Sequence, residues 1–143
     1  MITGNKGEWS EIYALFKILG DKNLFAGDAD LNRIENLFYP IIKIIRHEID
    51  GNYEYEIKND IVIVSGGREL LHVPVATFSK QALNLLTKIR TSTGSFGIIE
   101  IESFMNSIYC NTLKAKSTAK SDIKIVIHDK RVNQSAELGF SIK

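Results

Sequence analysis

A chain of 143 residues, 44% apolar and 24% charged, is long enough to bury a core as a single domain over residues 1–143 without a disulfide or a structural metal. The composition excludes a disordered or low-complexity chain, the lone Cys110 excludes a disulfide framework or cysteine zinc cluster, and the lack of an 18-residue apolar run or signal-peptide pattern predicts a soluble, cytoplasmic protein with no membrane segment. The net charge of +1 hides an asymmetry: residues 1–113 carry 11 Lys/Arg and 14 Asp/Glu, whereas residues 114–143 carry 7 and 3, so any polyanion is met late in the chain.

In chain order, Trp9, Ile12, Tyr13, Phe16 and Leu19 recur at three-to-four spacing, which predicts an amphipathic helix over 8–19 with Gly20 as its stop. Leu24-Phe25-Ala26 reads as a short strand and Gly27 to Asp30 as a loop. Residues 37–76 change to β-rich runs separated by turn chemistry and predict an antiparallel sheet. Leu37 to Ile45 is one run, with Pro40 placing it at a sheet edge or making its first half irregular. Asp50-Gly51-Asn52 is a turn, Tyr53 to Ile57 alternates as a strand, and Ser65-Gly66-Gly67 joins 61–64 to 70–73 as a hairpin.

Ser79 can cap a helix over 79–91 whose apolar positions are Ala82, Leu85, Leu86 and Ile89. A further helix over 98–110 would bury Ile98, Ile101, Phe104, Met105, Ile108 and Tyr109, with Cys110 in the core. Residues 114–122 are small, polar and basic, the composition of an exposed loop. Two alternating runs, 123–129 and 137–143, then predict neighbouring strands, the second with Leu138, Phe140 and Ile142 on one face and Glu137, Gly139, Ser141 and Lys143 on the other. The fold class is α+β, a mixed or antiparallel sheet flanked by helices.

Metal-assisted phosphodiester hydrolysis needs carboxylates for a divalent ion, a cation beside the attacking water and a rigid frame. Asp129, at a strand end, and Lys143 are the leading candidates. Glu137 lies six residues, roughly 20 Å, from Lys143 along a straight strand, so its participation requires a bend, for which Gly139 is the candidate. His47, His72 and His128 are isolated and show no metal-ligand spacing.

Three strings, Gly4-Asn5-Lys6-Gly7-Glu8-Trp9-Ser10-Glu11-Ile12-Tyr13, Tyr39-Pro40-Ile41-Ile42-Lys43-Ile44-Ile45-Arg46 and Glu137-Leu138-Gly139-Phe140-Ser141-Ile142-Lys143, resemble in order the HpaII family of restriction endonucleases. The resemblance runs over essentially the whole chain. It implies a type II enzyme of the PD-(D/E)XK class that cuts double-stranded DNA at CCGG with Mg²⁺, with Asp129 as metal-binding aspartate, Lys143 as catalytic lysine and Glu137 as a further acid. Ser141 stands where that class has Asp or Glu, so another carboxylate must be borrowed, and Glu8 and Glu11 on the first helix are the other source. Either of them is expected to approach the Asp129 strand end.

Lys114, Lys116, Lys120, Lys130 and Arg131 suit phosphate contacts, and Arg46, Arg68, Arg90 and Arg131 are the arginines available to read guanine. A palindromic target invites a homodimer. The chain ends at Lys143 inside a strand, which reads as the N-terminal portion of a longer enzyme. Two readings compete: a DNA-holding module that cuts nothing, favoured by Ser141, and a structural interaction domain whose contact is an exposed alternation of Tyr53 and Tyr55.

Overall fold

The fold begins with helix α1 (Lys6–Asp21), in a computed structural model that describes residues 2–27, 30, 32–113, 123–129 and 132–140. Asn5 caps it: the Asn5 side chain accepts from the Glu8 amide at 2.9 Å while the Glu8 carboxylate accepts from the Asn5 amide at 3.4 Å. Trp9, Ile12, Leu15, Phe16 and Leu19 form its buried stripe. Gly20 does not stop the helix, which runs on to Asp21 and ends where Lys22 turns left-handed at φ 61°. What Gly20 provides is closeness, since a Cβ there would lie 2.5 Å from the Ser79 Oγ and 3.0 Å from its Cα.

Strand β1 (Asn23–Gly27) pairs with the first half of the 16-residue strand β2 (Arg33–Glu48). Pro40, expected at an edge or an irregularity, marks where β2 changes partners. Before it lies the β1 pairing; after it β2 pairs with β3 (Gly51–Lys58) on one side and β6 (Ile123–Asp129) on the other, with a register shift between Ile41 and Lys43. Strands β4 (Ile61–Ser65) and β5 (Glu69–Pro74) extend the sheet beyond β3, and β7 (Gln134–Phe140) lies outside β6. Every pairing is antiparallel and the order is β5-β4-β3-β2-β6-β7, with β1 against β2. The α+β class is as expected, and the described strands form one seven-stranded sheet, antiparallel throughout.

Helix α2 (Val75–Thr91) starts four residues before the expected cap at Ser79, because Val75 and Phe78 already belong to the buried stripe that continues through Ala82, Leu85 and Ile89. Pro74 occupies the cap position, and the Val75 amide donates to the Asp60 carbonyl at 2.8 Å. Helix α3 (Ile99–Ser107) is shorter than the expected 98–110 because Tyr109 turns left-handed at φ 62°.

Directly paired residues of an antiparallel ladder share a face. One face, carrying Ile44, Tyr55, Val62, Val64, Ile123, Ile125 and Ile127, is buried together with the inner stripes of the helices. The other carries a ladder of ion pairs: Lys43 to Glu54 at 2.8 Å, Lys58 to Glu56 at 3.6 Å and Lys124 to Glu137 at 3.6 Å. Of these residues, Glu54, Lys124 and Glu137 rim a shallow depression of about 400 Å³ beside Ile45 and His47. Opposite charges alternate there, so the face offers no excess of positive charge to a polyanion.

Candidate functional site

Strands β6 and β7 are neighbours, as the alternation predicts. Their register pairs Asp129 with Gln134, Val126 with Glu137, and Ile123 with Phe140, with no shift along the ladder. The bend expected at Gly139 is therefore not there; Gly139 pairs regularly with Lys124. Asp129 is in step with the buried Ile123, Ile125 and Ile127, whereas Glu137 shares the opposite face with Lys124. The two acids lie on adjacent strands but on different faces. The described part of β7 also leads away from Asp129, since its last pair, Phe140 with Ile123, is six residues or roughly 20 Å along β6 from Asp129. Ser141, Lys143, Lys114, Lys116, Lys120, Lys130 and Arg131 lie outside the described residues.

At the Ile123 end of the sheet the structure assembles a buried charge cluster. Arg46 is fully buried on β2. Its Nε donates to Glu48 at 2.7 Å, one terminal nitrogen donates to Glu11 of α1 at 3.1 Å, and the other donates to the Thr112 carbonyl at 2.6 Å. Glu48 accepts in addition from the amides of Asn111 and Thr112, at 2.6 and 3.1 Å, and from the Thr112 hydroxyl at 3.0 Å. Charge-assisted bonds of this kind are what make a buried ion tolerable. Two expectations are corrected by it. Glu11 does not approach the Asp129 strand end; it faces Arg46 beside Ile45 and Lys124, at the far end of β6. Arg46 is no reader of bases, because its guanidinium is enclosed and three of its partners are internal. Glu8 stays at the surface and closes the helix cap.

Glu48 was not singled out from the sequence, although a signal exists. Arg46 and Glu48 follow Ile44 at a spacing of two, so they occupy the buried side of β2, and charge at such positions demands partners.

Burial would lower the Arg46 pKa, but the hydrogen bond to Glu48 and the charges of Glu48 and Glu11 outweigh it and hold the guanidinium more firmly protonated than usual. Burial pushes the Cys110 thiol up from 9.0 to about 12, against the opposing pull of Arg46. The Tyr55 phenol is likewise raised well above 10.0, chiefly by burial. Both groups keep their protons in the folded protein at pH values where the unfolded chain has lost them. Stability is therefore full below pH 9 and falls as pH rises above it, by about 1.4 kcal/mol per pH unit for a group such as Cys110. Denaturant titrations at pH 8 and pH 10 should show the wild type losing roughly 1 kcal/mol more over that interval than Cys110→Ala loses.

Tyr53 and Tyr55 do not form an exposed alternation. Their shared face is the one beneath the helices, so Tyr55 is fully buried and donates to the Ile108 carbonyl at 3.0 Å, while Tyr53 stacks on Tyr109 with ring centroids 5.7 Å apart. Alternation tells which residues share a side, but not which side is covered.

Among the described residues no group of three or more His, Cys, Asp or Glu gathers in a way that could hold a metal ion. Glu48 is engaged by four donors and Glu11 by Arg46, and Asp129 and Glu137 are separated by the sheet. The described carboxylates alone therefore do not fit a divalent ion. Among the same residues no helix is long and apolar enough to cross a membrane.

A family model described as HpaII restriction endonuclease matches residues 5–143. The chain is 41% identical over 145 residues to the type II restriction enzyme HpaII of Haemophilus parainfluenzae, in a match covering 99% of this chain and 40% of that protein. It thus spans about 40% of the length of that relative. No solved structure matches.

Proposed function

The chain belongs to the HpaII family of restriction endonucleases, and from that premise we propose that it acts within a type II enzyme that hydrolyses double-stranded DNA at a CCGG palindrome with Mg²⁺. The observation that carries the proposal is the extent of the family match, which includes the closing string Glu137 to Lys143. Lys143 is the residue on which the chemistry chiefly rests: a cation beside the attacking water acts on the charge that develops in the transition state. Asp129 is proposed as a metal-binding aspartate and Glu137 as a further acid, with Ser141 standing at the position where that class has Asp or Glu. The β6–β7 register places a demand on that assignment, because β7 leads away from Asp129 toward Ile123. Lys114, Lys116, Lys120, Lys130 and Arg131 are proposed to meet phosphates, which positions the duplex without reading its sequence. A palindromic target with twofold symmetry is matched by a homodimer, and a cytoplasmic location suits an enzyme with its single thiol reduced.

The test is a gel shift with a CCGG duplex in Ca²⁺ across a salt series, followed by cleavage in Mg²⁺. Binding that weakens steeply with salt, and cutting confined to CCGG, is the expected result. Binding without cutting would leave a DNA-holding module, the reading that Ser141 favours; no binding would leave an interaction domain.

A further inference from the structure

We propose that the outward face of α2 is a docking surface for the sugar–phosphate backbone of duplex DNA, with Lys80, Lys88 and Arg90 as its phosphate contacts. This rests on the reading just given, in which the chain binds double-stranded DNA, and adds to it a surface and three residues.

Helix α2 buries Val75, Phe78, Ala82, Leu85 and Ile89, so its opposite side is turned away from the core. On that side Lys80, Leu83, Thr87, Lys88, Arg90 and Thr91 are all exposed. No Asp or Glu occurs anywhere in its 17 residues. Helical geometry sets Lys88 and Arg90 about 80° to either side of Lys80, so the three cations share the outward half of the helix. From Lys80 to Arg90 the axis advances roughly 15 Å, the length of about four base pairs of duplex.

These cations differ from those of the sheet in having no counter-charge. Lys43, Arg46, Lys58 and Lys124 are each paired with a glutamate. Among the described residues no carboxylate pairs with Lys80, Lys88 or Arg90. Across the groove between α1 and α2, Asp21 is taken by Lys17 at 3.2 Å. Thr87 and Thr91 turn their hydroxyls onto the carbonyls of Leu83 and Thr87, each at 3.1 Å, which leaves the cations as the chief outward donors of the face. The acids among the helices stand elsewhere, as in α3, whose first turn carries Glu100 and Glu102.

A chain of closely spaced phosphates fits such a surface, because each cation it meets displaces condensed counterions without first breaking an ion pair. A membrane does not fit, since the apolar stripe that α2 would insert is already buried in the core. Leu83, at 68% exposure, is the one large apolar side chain exposed on α2, too little for the apolar centre of a protein interface. Contacts to the backbone position a duplex without reading it, so Arg90 is assigned to a phosphate and not to guanine.

The test compares two variants of equal charge change. Lys80→Gln/Lys88→Gln/Arg90→Gln removes the α2 cations while keeping good helix formers. Lys43→Gln/Lys58→Gln/Lys124→Gln removes three cations from the open face of the sheet. Wild type and variants are titrated in Ca²⁺, over a salt series, with a CCGG duplex and with a duplex lacking that site. The slope of log K against log salt should become shallower by about 2–3 in the α2 variant with both duplexes, while the sheet variant keeps the wild-type slope and the preference for CCGG is unchanged. A footprint on the wild type requires no variant: bound duplex should slow acetylation of Lys80 and Lys88 by acetic anhydride and leave Lys58 as it is.

If the α2 variant does not fold, the footprint decides the matter. A wild-type slope in the α2 variant, equal losses in both variants, or Lys80 and Lys88 acetylated as fast with duplex bound as without it, overturns the inference and leaves the DNA reading standing. A wild type that binds neither duplex overturns both.

Discussion

Lys143→Ala is expected to lower single-turnover cleavage of a CCGG duplex by at least about 10²–10³-fold while leaving binding in Ca²⁺ within about tenfold, equivalent to 1.4 kcal/mol. One lysine among several phosphate contacts adds little to affinity. A cation aimed at the charge formed during hydrolysis acts on the transition state alone, so its removal appears in the rate and not in the binding constant. No divalent ion should rescue this variant, because the missing group is a side-chain cation rather than a ligand. Asp129→Ala is the informative partner. If Asp129 holds a metal, excess Mg²⁺ or Mn²⁺ should recover part of the lost activity; if it lies at the wrong end of β6, as the pairing with Gln134 implies, the variant should cut at nearly the wild-type rate. A lysine variant that still cuts within tenfold of wild type would sink the assignment of Lys143.

The elements themselves were legible because their signals are local. Period-two alternation and the turn residues around Asp50 and Gly66 placed β3, β4 and β5, and three-to-four spacing placed α1. Misreadings arose where a local signal had a tertiary cause. Gly20 resembles a helix stop, but Ser79 of another helix requires its bareness; Ser79 resembles a cap, but the apolar stripe had begun at Val75. The candidate site was less legible still. Glu11 and Arg46 are 35 residues apart, and Arg46 and Thr112 are 66 apart, so the spacing on β2 marks Arg46 and Glu48 as needing partners but does not say which. Family resemblance supplied the chemistry, whereas only the strand register could show that Asp129 and the outgoing end of β7 lie at opposite ends of a hairpin.

Arg46→Met alone is expected to destabilise the fold by about 3–5 kcal/mol, the cost of leaving buried carboxylates without their counter-charge. Glu11 and Glu48 are each almost completely buried, at 4% and 2% exposure, so neither can turn to water when the guanidinium is gone. Glu48 would keep the Asn111 and Thr112 donors and suffer less; Glu11 would lose its ion pair with Arg46. One or both must take up a proton, so the deficit should shrink as pH falls toward the carboxylate range and the charges are titrated away. The sign follows from proton uptake: the variant's native state binds protons that its unfolded state releases, and acid therefore favours folding relative to neutral pH. Combining Arg46→Met with Glu11→Leu and Glu48→Leu removes all three charges and should restore part of the stability, because apolar replacement of a whole buried ion network is often neutral or favourable, whereas the Asn111 and Thr112 amides still lose their acceptor. Denaturant midpoints of the single and triple variants at pH 5 and pH 8 measure both effects. A single variant within 1 kcal/mol of wild type at pH 8 would mean that water reaches the cluster and that Arg46 does not hold this end of the sheet.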